Sequence, residues 1–283
     1  MTEIDYDSQL SNKSLTSPKR RILTKVSFLC HNFNEMKVKV LGNQAPFQLN
    51  GKKGVGYLVK TQDGNFMLDA GSGSHSNLSV NDYENLKLVL SHGHYDHVAD
   101  IENLLYAALT LKSKGIVVPN LSIYLPENYK DNLEKKALVG DIKPTDVAEI
   151  IRYGAGDRLK IGGTRVDFLK TTHSPDSSAI KVSAGGASLG YTGDISTDDL
   201  MPCAEFFGNA DAIISECSLP QNYPKQLKHL RPHDCANLKN QSNAKSIYLT
   251  HFFPTENPKK YLKHCKEKTD NAYIATENLT FNL

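Results

Sequence analysis

The chain reads as an α+β protein, two β-sheets stacked face to face with helices on the outer faces. Three observations predict this. Strand-like segments dominate the start of both halves of the chain, and each half also brings helices. The glycine-rich fingerprints of doubly wound nucleotide-binding sheets, G-x-G-x-x-G and G-x-x-x-x-G-K-[ST], do not occur. No repeat period and no internal linker appear after Met36, so residues 36–283 are expected to be one domain.

Taken in order, residues 1–35 are expected to be an N-terminal extension. Its first twenty or so residues are polar, rich in Ser and Asn and without hydrophobic period, which predicts partial disorder. From Met36, "MKVKVLG" alternates like a strand. "GVGYLVK" (54–60) and "NFMLDAG" (65–71) follow, joined by the turn signal "TQDG". "LKLVL" (86–90) is apolar and β-prone. "DIENLLYAALTLKSKG" (100–115) is a helix: Ile101, Leu104, Leu105, Ala108 and Leu109 share a face, and Gly115 fits the C-terminal cap. "LSIYL" (121–125) is a strand, and "TDVAEIIRYG" (145–154) is read as a short helix or helical turn. Strands recur at 164–171, 178–183, 187–193, 211–217 and 246–251. A helix at 233–242 precedes the last of these, and an amphipathic helix at 256–268 follows it.

Composition narrows the class of function. A formal net charge of +2 lacks the basic excess of a dedicated nucleic-acid binder, although a small anionic substrate is compatible with it. No apolar run reaches the roughly 18 residues a membrane span needs, and "MTEIDYDSQL" is acidic where a secretory signal would be basic and then apolar. The five cysteines are scattered and form no C-x-x-C pair, so a reduced, cytoplasmic protein with buried thiols is expected.

The chemistry concentrates in "SHGHYDH" (91–97), at the end of the strand 86–90. Imidazole nitrogens and carboxylate oxygens are ligands for zinc and related ions. A tight loop leaving a strand can aim His92 and His94 at one ion and Asp96 and His97 at another. His173, Asp194 and His251 each lie just past another expected strand. Five histidines and two aspartates at strand ends suit a two-metal hydrolytic site.

H-x-H-x-D-H at 92–97, the later His173, "YTGD" (191–194), "LTH" (249–251) and "DAGSG" (69–73) resemble the metallo-β-lactamase superfamily over nearly everything from Met36 on. The resemblance implies a four-layer αββα sandwich. It also implies one metal on His92, His94 and His173, a second on Asp96, His97 and His251, and Asp194 bridging the two. Class B lactamases generally carry Cys where this chain has Asp194. Glyoxalase II-like thioesterases, the alternative acyl-hydrolase reading, keep the Asp but surround the third His differently from "TTHSPDSSAI". Residues 214–238 are similar to the ribonuclease Z-like and cyclic-nucleotide phosphodiesterase branches: Glu216, then His229 in an H-L-x-P element, then His251. Arg231 stands where that element has Ser or Thr. About twenty residues separate His173 from Asp194, enough for a hairpin and too few for a long tRNA-gripping arm.

The resemblance therefore implies a phosphodiesterase acting on a nucleotide or cyclic nucleotide, with two divalent ions, zinc or else manganese or iron, supplying hydroxide at neutral pH. Asp96 would orient that hydroxide or take its proton, His229 would donate to the phosphate or the leaving oxygen, and Glu216 would hold the His229 ring. His233 competes for the role of His229, and Arg231 is a candidate contact for phosphate. The expected partner is a small phosphodiester or nucleotide, with no membrane; a homodimer is compatible with the sequence.

Overall fold

The structure is a computed structural model, and it describes residues 36–117, 119–129, 133–224 and 228–283. The expected extension at 1–35, with Cys30 and His31, lies outside the described residues.

Fourteen strands form two seven-stranded sheets among the described residues. The first sheet holds β1 (Lys37–Gly42), β2 (Gly56–Thr61), β3 (Gly64–Leu68), β4 (Leu86–Val89), β5 (Leu121–Pro126) and β6 (Ala148–Tyr153). The second holds β7 (Arg158–Ile161), β8 (Thr164–Lys170), β9 (Ser178–Ala184), β10 (Ala187–Tyr191), β11 (Ala212–Glu216), β12 (Ser246–Thr250) and β13 (Ala272–Ile274). β14 (Thr280–Asn282) returns to the first sheet beside β1. Each sheet starts antiparallel and ends parallel: β1–β2–β3 and β7 to β10 alternate in direction, while β3 to β6 and β10 to β13 run together.

The side-chain period of two explains the layering. In β2, Tyr57 and Val59 enter the core between the sheets, while Leu58 faces the other way. In β3, Phe66 and Leu68 face inward and Met67 outward; in β11, Ala212 and Ile214 face inward and Ile213 outward. Both faces of both sheets are therefore apolar and both must be covered. On the first sheet the cover is α2 (Ile101–Ser113), through Ile101, Leu104, Leu105 and Ala108, preceded by the single turn α1 (Tyr95–Val98). On the second it is α3 (Leu200–Phe206), α4 (Pro232–Gln241) and α5 (Pro258–Lys266), through Cys203, Cys235, Leu238, Tyr261 and Cys265. Three apolar layers separate four layers of structure: this is the αββα sandwich of the metallo-β-lactamase type.

One expectation is corrected. Residues 145–154 are not helical apart from a 3-10 turn at 144–146; they contain β6, paired in parallel with β5 over six residues. Val147, Ile150 and Ile151 mimic a helical spacing. In the fold, however, Ile150 packs toward the outer helix and Ile151 toward the inter-sheet core, which only a strand allows. The interval between His173 and Asp194 is filled by the β9–β10 hairpin, turning at Gly185 and Gly186, both with positive φ.

β8, β10, β11 and β12 point the same way, so their C-terminal ends share one rim of the second sheet. The loop after β4 reaches the same rim from the first sheet, because Ser91 O accepts from Ser178 N at 3.0 Å.

Candidate active site

Every expected site residue comes to this rim. His92, His94, Asp96 and His97 follow β4, His173 follows β8, Asp194 follows β10, Glu216 ends β11 and His251 follows β12. They line or underlie a cleft of about 540 Å³, whose far wall is Ala45, Pro46, Leu219, Tyr223 and Phe253.

Two nests of donor atoms stand side by side. In the first, His94 Nδ1 lies 3.0 Å from His92 Nε2 and 3.1 Å from His173 Nε2. In the second, His97 Nε2 lies 3.2 Å from His251 Nε2, and Asp96 Oδ2 is 3.7 and 3.4 Å from these two nitrogens. Asp194 stands between the nests. Its Oδ2 is 3.9 Å from His92 Nε2 and 3.5 Å from His173 Nε2, and its Oδ1 is 3.4 Å from His97 Nε2 and 3.1 Å from His251 Nε2.

Four of the five imidazoles, those of His92, His97, His173 and His251, are turned by a partner on the other nitrogen, which fixes the tautomer these partners imply. His97 Nδ1 donates to Asp69 Oδ2 at 2.7 Å. His92 Nδ1 donates to Ser91 Oγ at 3.0 Å, and that hydroxyl donates to Asp69 Oδ2 at 2.7 Å. His173 Nδ1 donates to the Lys228 carbonyl at 2.9 Å. His251 Nδ1 donates to Ser218 Oγ at 2.8 Å, and Ser218 donates to Glu216 Oε2 at 2.5 Å. The outward nitrogens therefore face one another. Imidazole nitrogens 3.0–3.2 Å apart, beside the buried Asp194 carboxylate, form donor sets that could hold metal ions.

Without ions the charges redistribute. Burial works against a charged His97, but Asp194 and Asp69 outweigh it and raise its pKa well above the usual imidazole value. Burial likewise opposes charge on His251, yet Asp194 and Asp96 lift it to about 10. Burial and the neighbouring His97 hold His92 well below the usual value. Asp194 is driven well below the usual carboxylate range by His251 and His97, although burial pushes the other way.

His229 sits beside both nests, its ring 4.9 Å from that of His173 and 5.6 Å from that of His251. Its Nδ1 donates to Glu216 Oε1 at 3.0 Å and Oε2 at 3.1 Å, leaving Nε2 for the cleft. Burial lowers the His229 pKa, but Glu216 and Asp194 together outweigh it and raise the pKa above the usual imidazole value. Glu216 is itself 1% exposed and also accepts from the Ile195 and Leu230 backbone N–H groups, so it is a fixed mount.

His233 does not compete for this position; it turns away to Glu267. Arg231 donates from Nη2 to the Tyr223 carbonyl at 3.2 Å, and at the start of α4 its backbone N–H donates to Asp234 Oδ2 at 3.0 Å, the acidic half of a capping box. His75 is paired with Asp100, and His264 is half-buried on α5.

Sequence reasoning missed Ser91, Ser218 and Tyr191, and assigned no task to Asp69. Asp69 Oδ2 accepts from His97, Ser91 and Tyr191 OH, the last at 2.6 Å. The backbone of Asp69 (φ 57) and of His251 (φ 60) is left-handed, a conformation non-glycine residues hold only where surroundings impose it.

Fold and site define a metallo-hydrolase of the metallo-β-lactamase superfamily. The chain is 29% identical over 220 residues to the probable metallo-hydrolase YhfI of Bacillus subtilis, a match covering 76% of this chain and 86% of the relative. The crystal structure of YhfI superposes with a TM-score of 0.77 at 25% identity, covering 88% of this chain and all of that one. The short form of human tRNase Z, ELAC1, shares the fold at 17% identity with a TM-score of 0.64, covering 87% of this chain and 98% of that one. More narrowly, residues 36–278 match the family described as the anti-Pycsar protein Apyc1, and the chain belongs to that family. No helix of the described residues is long and apolar enough to cross a membrane.

Proposed function

We propose that the chain is a phosphodiesterase of nucleotides or cyclic nucleotides. The observation that carries this reading is the His229–Glu216 pair, bonded at 3.0 and 3.1 Å and set over the two nests of donor atoms. His92, His94 and His173 would hold one divalent ion, Asp96, His97 and His251 a second, and Asp194 would bridge them; the imidazole-rich set favours zinc over manganese or iron. When bound, such ions make hydroxide available near neutral pH and offset the charge that grows on phosphate oxygens.

The chain's own groups do the rest. Asp96 turns Oδ2 to the imidazoles, leaving Oδ1 to orient the attacking water and take its proton. As the water oxygen bonds to phosphorus, the ester oxygen leaves with the proton of His229 Nε2. Glu216 keeps that ring oriented and favours its protonated form. A cleft of about 540 Å³ suits a mononucleotide, and Tyr223, Leu219 and Phe253 give a base an apolar wall. The thioesterase reading gives His229 and Glu216 no task.

Residues 36–283 would be the catalytic unit. Four cysteines, 203, 217, 235 and 265, are free and buried, which supports a reducing, cytoplasmic setting. The test is a parallel assay of the metal-loaded protein against bis-p-nitrophenyl phosphate, 2′,3′- and 3′,5′-cyclic nucleotides, and a thioester. Turnover confined to the phosphodiesters is expected. Thioester hydrolysis that survives H229A intact would replace this reading with the acyl-hydrolase one.

A further inference from the structure

Away from the cleft, imidazole and carboxylate converge a second time. His233 is the second residue of α4, His264 lies in the last turn of α5, and Glu267 follows α5 at its C-terminal cap. Glu267 places one oxygen against each ring: Oε2 is 3.0 Å from His233 Nε2, and Oε1 is 3.3 Å from His264 Nδ1. The ring centroids are 6.3 Å apart, and one donor atom from each of the three residues lies within 4.8 Å of the others.

The platform beneath them is rigid. α4 and α5 share a buried core through Cys235, Leu238, Tyr261 and Cys265. His264 and Glu267 are three positions apart and share a helix face. All three side chains are partly open to solvent, at 29%, 35% and 44%, so water can complete a coordination shell. The C-terminal end of a helix also favours a cation. Lys263 and Lys266 in the same turn act against it, but Lys266 Nζ lies 6.0 Å over the Tyr273 ring.

We propose that His233, His264 and Glu267 form a further metal site, distinct from the dinuclear centre, that takes a divalent transition ion of the zinc type and clamps α4 to α5. Two imidazoles and one carboxylate with open positions suit zinc, nickel or copper, whereas magnesium and calcium prefer all-oxygen sites. The clamp bears on the cleft. His233 N donates to Gln221 Oε1 at 2.9 Å, and Leu219 N to the carbonyl of Leu230, just before α4, at 3.1 Å, so the start of α4 and the residue before its cap hold the segment that carries the cleft wall.

The test uses the full chain with its dinuclear centre already loaded, titrated with zinc against a chromogenic chelator. The wild-type protein is expected to take up one further equivalent, and H264A and E267Q to lose it while keeping the catalytic equivalents. H75A is the control, because His75 faces a single carboxylate, Asp100, and no second ring. Zinc beyond the catalytic equivalents should raise the Tm of the wild type and of H75A but not of H264A or E267Q. Equal uptake by wild type, H264A and E267Q, or loss of the same equivalent in H75A, would overturn the proposal.

Discussion

His97 and Asp69 are joined by a 2.7 Å hydrogen bond from Nδ1 to Oδ2, and neither residue has measurable exposure. Because Asp69 also receives Ser91 Oγ and Tyr191 OH, this one carboxylate orients His97 directly and His92 through Ser91. D69N keeps the left-handed backbone, which Asn tolerates, but gives up the charge and one acceptor. Metal affinity should fall about 10–100-fold, read as a lower chelator concentration for half-loss of metal. Wild-type retention would mean Asp69 only fills space.

Gly71 packs against the backbone of the 91–97 loop. A Cβ there would stand 2.4 Å from Asp96 O and 2.7 Å from Val55 N, both backbone atoms that cannot swing away. G71A should therefore destabilise the fold by about 1–3 kcal/mol and shift Asp96 enough to lower metal content. Denaturant unfolding and elemental analysis of the purified variant check both.

Metal loading should release protons. In the metal-free chain the pKa values of His97 and His251 are both raised, that of His251 to about 10, so His251 carries a proton at pH 7. Ions need the unprotonated nitrogen, so affinity should climb as pH rises toward about 10. Calorimetry in buffers of different ionisation heat reads the released protons directly. The same sign governs the metal-free fold: stabilisation from protonated His251 is complete below the ordinary value of 6.5 and is lost as pH rises through about 10.

H229A should leave metal content unchanged and lower kcat by about 10²–10⁴-fold on a cyclic nucleotide, with a smaller change in KM. The loss should shrink for p-nitrophenyl esters, whose leaving group needs little protonation. E216Q should follow H229A in direction, since the ring would lose its mount. D194A should differ from both by losing metal. Parental turnover of a cyclic nucleotide by metal-replete H229A would remove His229 from the reaction.

The site was legible where residue type and position speak together: imidazoles and carboxylates immediately after apolar β-prone runs. Their supporters were not. Ser91, Ser218 and Tyr191 are common residues whose tasks arise from contacts such as Tyr191 with Asp69, 122 positions apart. The layering was legible from alternation in segments such as "GYLVK". It failed at β6, where two adjacent isoleucines serve opposite faces of a sheet yet also fit a helical stripe. β7 escaped because four residues with Arg158 and Lys160 exposed give too short a pattern, although Leu159 and Ile161 do face the core.

The site draws its donors from both sheets, and the sequence distances are long: His94 meets His173 across 79 positions and His97 meets His251 across 154. In polymer terms, ions held there act as reversible cross-links closing very large loops. Such a cross-link can be tied only after β4, β8 and β12 have all found their places. It therefore comes too late to hasten folding, and its weight falls on the reverse step. Stripping the ions should leave the refolding rate nearly unchanged and quicken unfolding.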